Sequence, residues 1–170
     1  MEGVQWRMGA QQVFLRQLSA CHDENHWFAC LQQALAGVNE AQANWKERVD
    51  LHSIHEIVNH LITYNGRCLD RFQGEPVPPI EERNEDTFVS GTEMDWEVTV
   101  ATITTIMDDW MQVIQETEEW EWEQQISEYT DETWAMMVAN MVIHTGYHIG
   151  QIVMLRKQQN VWDVEAEMYE

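Results

Sequence analysis

Along most of this chain apolar residues recur every three to four positions, the repeat of a helix with one buried face. The first such stretch runs from about Val4 to Ala20, with Val4, Met8, Leu15 and Leu18 on the inner side. "CHDENHW" breaks it, and "FACLQQALAGV" gives a shorter helix ending near Gly37. "NEAQANWKERVD" is a capped, polar connection. A second long helix is expected from Ser53 to Phe72, with Ile54, Ile57, Val58, Leu61, Asn65, Cys68 and Phe72 as its inner stripe. A third spans about Asp95 to Thr117, with Asp95 as N-cap. Its opening "EVTVATITTI" is β-branched, but Ile103, Met107, Trp110 and Ile114 keep helical spacing, and branching lowers helix propensity only modestly. A fourth starts near Asp131 and ends around Gln159.

"QGEPVPPIEERNEDTFVSGTEMD" holds all three prolines and is the one long loop; "TFVS" within it is too short to count as a strand. "EEWEWEQQISEYTDE" reads as a surface connection whose tryptophans tuck inward. Four long amphipathic helices imply an all-α four-helix bundle, and the long connections allow an order other than simple up-down-up-down. With 170 residues the chain fits a single domain, residues 1–170.

Charge narrows the partners. Thirty acidic residues against nine basic give a formal net charge of −21, which repels phosphate backbones and argues against nucleic-acid binding. Nine Trp and ten Met suggest a core of large, adaptable side chains. The three cysteines, Cys21, Cys30 and Cys68, form no C-x-x-C pair and are expected as reduced, buried small hydrophobes. No apolar run approaches a membrane span and the first residues lack a signal pattern, so a cytoplasmic protein with no membrane partner is expected.

The chemistry lies in the histidines. In "IHTGYHIGQI" His144 and His148 stand one helical turn apart, and that spacing stacks their rings on one face, within reach of a single metal ion. His148 falls inside the apolar arc of the fourth helix and His144 at its edge. A buried imidazole more often makes a single core hydrogen bond, and the pair alone leaves both readings open. A further ligand must come from another helix. "HSIHEIVNHL" comes close to the H-E-x-x-H motif, but His55 and His60 are five residues apart and point to different sides. The paired E-x-x-H motifs of a di-iron bundle are also missing. His60 flanks the inner stripe of the second helix and is the better ligand; His52 and His55 suit solvent or capping roles. Glu56, one turn before His60, could accept from a ligand ring, bind the metal or hold a water. Gln151 is close in angle to His144 and could reach a ligand or substrate. Tyr147 points away from the apolar arc. His26 and Trp27 could line a pocket mouth.

"LHSIHEIVNHLITYNGRCLDRFQG" followed by "HTGYHIGQIVMLRKQQNVW" resembles the DinB-like and YfiT-like superfamily of small metal-binding four-helix bundles, distinct from the DNA polymerase that shares the DinB name. The resemblance covers nearly the whole chain, and its most specific part is H-x-x-x-H-x-G-Q-I with the upstream histidine. It implies His60, His144 and His148 as ligands of one divalent metal ion: zinc or nickel foremost, with iron, cobalt or manganese as alternatives. It also implies a homodimer, and a metal-dependent transferase that activates a low-molecular-weight thiol of the bacillithiol type for attack on an electrophile. Two other readings stand beside it. One is a metal-dependent hydrolase with Glu56 as the nearest candidate base. The other is a non-catalytic metal- or ligand-binding stress-response protein.

Overall fold

The structure, a computed structural model, describes residues 9–78, 83–89 and 95–163. It is all-helical: α1 (Ala10–His22), α2 (Leu31–Leu35), α3 (Glu40–Ala43), α4 (Ile54–Phe72), α5 (Trp96–Glu116) and α6 (Trp134–Gln158). Short 3-10 turns lie at Asn84–Thr87 and Glu121–Glu123, and one isolated bridge pairs Gln125 with Thr133. Val4 and Met8, expected on the inner face of the first helix, lie outside the described residues.

Capping chemistry sets the helix starts. Ser53 accepts from the Glu56 N–H while Glu56 reaches back to the Ser53 N–H, a capping box that opens α4. Asp95 accepts from the Val98 N–H at the start of α5. The expected start of the last helix near Asp131 moves to Trp134, with Thr133 as its cap. The reason is local: Ile126 N–H donates to Glu132 O and Trp134 N–H to Gln124 O, so these residues close a loop before the helix can begin.

The long helices α1, α4, α5 and α6 form the bundle. Both α1 and α4 pack against α5 and α6, so α1 and α4 face each other across the core. The chain thus crosses diagonally from α1 to α4 and again from α5 to α6, which is why those connections are long. Leu18, Ile54, Val58, Leu61, Ile103, Met107, Trp110, Ile114, Val138 and Ile152 are fully buried in the shared core. In the acidic connection Trp122 is buried against Phe14, whereas Trp120 is exposed, so only one of that pair tucks inward. Cys21 and Cys30 are buried and Cys68 half-buried; burial raises all three thiols, Cys21 to about 11.

Several buried polar groups are paired across the bundle, although the Trp122 indole N–H and Arg156 Nε have no partner among the described residues. The Asn65 carboxamide donates to Leu61 O and accepts from Thr145 Oγ1, and the Trp110 indole donates to Asn65 O. Gln11 donates to the last carbonyls of α5, and the buried Arg156 donates to Gln33 O and Ala34 O, tying α6 to α2. No helix among the described residues is long and apolar enough to cross a membrane.

Candidate metal centre

His60 comes from α4; His144 and His148 come from α6. The packing of those two helices brings three imidazoles together, with one ligand atom from each ring all within 4.8 Å of one another. The Nε2 of His144 lies 3.0 Å from the Nε2 of His60 and 3.0 Å from the Nε2 of His148. Two nitrogens on one ion at 2.0–2.1 Å stand about 2.8–3.4 Å apart for angles of 90–110°. His60 and His148 are buried and His144 half-buried.

The outer nitrogens determine what the inner ones can do. The Thr87 hydroxyl donates to Asn84 O at 2.6 Å, so toward His60 Nδ1, also 2.6 Å away, it can only accept. His60 therefore carries its hydrogen on Nδ1 and a bare lone pair on Nε2. His148 is held the same way, with its Nδ1 donating to Gln151 Oε1 at 2.7 Å. Two acceptors thus face His144 Nε2, and a neutral His144 has at most one hydrogen there. One hydrogen cannot serve both neighbours, but a cation at the shared centre satisfies all three lone pairs. The donor set accordingly fits a divalent metal ion, for which neutral imidazole is the ligand form.

Electrostatics favour that form. Burial pushes the His60 pKa down to about 3, helped by the neighbouring His148, His144 and His52. His144 is lowered to about 4 by burial and then by His148. His148 is lowered too, chiefly by burial, with the Gln151 hydrogen bond opposing.

The long loop contributes more than its sequence suggested. "TFVS", too short to form a strand, supplies Thr87 and Phe88. The Phe88 ring is stacked between His60 and His52, with centroids 3.9 Å from each. Asn59 donates to Val89 O, and the Tyr64 hydroxyl donates to Asn84 Oδ1, with its ring 4.8 Å from that of His60. Three side chains of α4, namely Asn59, His60 and Tyr64, therefore fasten the turn over the metal site. The signal in sequence was an aromatic residue inside a long polar loop, and long loops of this kind are often functional.

Several expected residues are placed elsewhere. Both Glu56 carboxylate oxygens are engaged, one by Lys46 Nζ at 2.7 Å and the other by the Ser53 N–H at 2.8 Å. Its work is to cap α4, and it is not in the histidine cluster. His55, expected at solvent or a cap, is fully buried, with Nε2 2.9 Å from Thr99 Oγ1 and Nδ1 3.2 Å from Asn44 Oδ1. The five-residue step that separates it from His60 turns it toward α5 instead. His52 is half-exposed and lies on Phe88. Tyr147 meets His148 edge-on at 5.0 Å but is 63% exposed on the outer side of α6. His26 is held by Arg16 and Glu24, and Trp27 is 97% exposed beside a groove lined by Gly146, Ile149, Gly150 and Val153, none of them a cluster histidine.

No curated protein and no solved structure matches the chain. The family model of the DinB superfamily matches residues 22–152, a span that holds α4, α5, most of α6 and all three histidines. With more than three quarters of its residues inside that match, the chain belongs to the DinB superfamily.

Proposed function

We propose that this protein is a metal-dependent transferase that activates a low-molecular-weight thiol for attack on a small electrophile. The observation that carries the metal half is the meeting of three Nε2 atoms, two of them with their ring hydrogens directed outward to Thr87 and Gln151. Three protein ligands leave room for a further one, as in catalytic rather than closed structural sites. His60, His144 and His148 would hold a divalent ion as neutral imidazoles without offsetting its charge, and such an ion would supply a Lewis-acid position that favours the deprotonated form of a thiol. The protein's own share is positional. Thr87 and Gln151 fix the tautomers, Phe88 excludes water from one face of His60, and burial keeps all three rings uncharged. The thiol itself rests on the resemblance to thiol-using members of the superfamily.

Glu56, the nearest candidate base of the hydrolase reading, is committed to Lys46 and the α4 cap, so that reading would rest on a water activated by the metal alone. The deciding assay combines zinc- or nickel-loaded protein, a panel of thiols and a generic electrophile. A thiol-dependent rate lost in His148→Ala supports transfer. A rate that needs no thiol supports hydrolysis, and no rate with either leaves the non-catalytic reading.

A homodimer is part of the proposal, and the outer face of α6 supports it. From Trp134 to Leu155 the helix has no charged residue. Met136, Ile143, Tyr147 and Met154, each more than half exposed, fall with Gly150 inside an arc of about 60°. Two copies that each carry −21 repel almost everywhere, and this uncharged face is where a second copy can approach. Light scattering on wild type and on Ile143→Glu tests it: the substitution should leave a folded monomer.

A further inference from the structure

A second cavity lies on the other side of the bundle and shares no wall residue with the histidine centre. Its volume is about 920 Å³, within the size range of small-molecule sites. It is bounded by the end of α1, by α2 with the turn into α3, and by the first turns of α5. The floor is apolar and rigid. Leu35, Val38 and Trp96 are buried there, and the Trp96 indole donates to Val38 O at 2.6 Å, which locks the ring in place.

The rim has one sign of charge. Glu40, Asp95 and Glu97 are exposed around the opening, and among the described walls there is no lysine or arginine. His22, also in the wall, is 5% exposed, and its Nε2 lies 2.7 Å from Asp108 Oδ1. Carboxylates around an apolar floor, in a chain of net charge −21, complement one chemistry: a donor-rich cation on an apolar body.

The geometry points to this cleft as a binding site for a small organic cation, a primary ammonium carried on an aromatic or short aliphatic group. The ammonium sits at the Glu40, Asp95 and Glu97 rim, and the apolar body lies over Leu35, Val38 and Trp96. This site is independent of the metal centre.

Isothermal titration of the full chain with phenethylammonium, its neutral isostere 2-phenylethanol and the anion 3-phenylpropionate tests the assignment. The cation alone should bind, with a Kd of about 1 mM or tighter, and binding should weaken several-fold between about 50 and about 500 mM salt. The triple variant Glu40→Gln, Asp95→Asn, Glu97→Gln removes the charge and keeps a capping oxygen at position 95; affinity should fall about tenfold or more. Ala36→Trp, at an exposed wall position, should abolish binding by filling the cleft. His60→Ala should bind the cation as wild type does, which separates this site from the metal centre. Equal affinity for the alcohol, full affinity in a folded triple variant, or no saturable binding of the cation would overturn the proposal.

Discussion

The Thr87 hydroxyl lies 2.6 Å from His60 Nδ1 and gives its own hydrogen to Asn84 O at the same distance. A loop residue thereby decides which nitrogen of a helix residue faces the metal site. Thr87→Val keeps the shape and removes the acceptor. Metal affinity should fall about 10–100-fold, as it does when such supporting hydrogen bonds are lost. Thr87→Ser should restore most of it. Competition against a chelator of known affinity measures both.

His60→Ala, His144→Ala and His148→Ala should each lose stoichiometric metal. His52→Ala should keep it, since that ring stacks on Phe88 and lies near Glu56 and is not one of the three clustered histidines. His55→Ala should keep it as well but lose about 2–4 kcal/mol of stability, because it opens a cavity and leaves Thr99 and Asn44 unmatched. Elemental analysis paired with urea unfolding separates the two effects. Equal metal content in all five variants would refute the site.

Glu56→Ala should behave as a capping variant. It removes the acceptor of the Ser53 N–H and the partner of Lys46, at a cost of about 1–2 kcal/mol, and leaves metal content unchanged. If the variant stays folded and loaded yet loses all turnover, Glu56 acts as a base after all.

Acid should destabilise the metal-free protein. His55, His60, His144 and His148 all have pKa values below the ordinary 6.5, with His60 at about 3 and His144 at about 4. From pH 6.5 down toward those values the unfolded chain binds more protons than the folded one. The stabilisation is fully present above pH 6.5 and is lost progressively as pH falls. The Tm of metal-free protein should therefore drop between about pH 7 and about pH 5.5, above the range where ordinary carboxylates titrate. Zinc-loaded protein should drop further over the same range as protons displace the ion. A flat Tm in the metal-free state would contradict the burial of these rings.

The sequence by itself determined what depends on neighbours along the chain. Helical period placed α4 and α5 to within a residue, because a 3.6-residue repeat of apolar side chains is a property of one helix. It set His144 and His148 on one face, since a four-residue step does so wherever the helix sits. The Ser53–Glu56 capping box was also there to be read, and its meaning, a carboxylate used up in holding a helix end, became plain only beside Lys46. Tertiary structure decided the rest. His60 stands more than eighty residues from its partners and meets them only because α4 packs on α6. Thr87 and Phe88 gain their roles when a loop folds back over α4, and His55 is buried because α5 covers it. Such contacts come from burying the whole core at once, and no local repeat encodes which distant segment will do the covering.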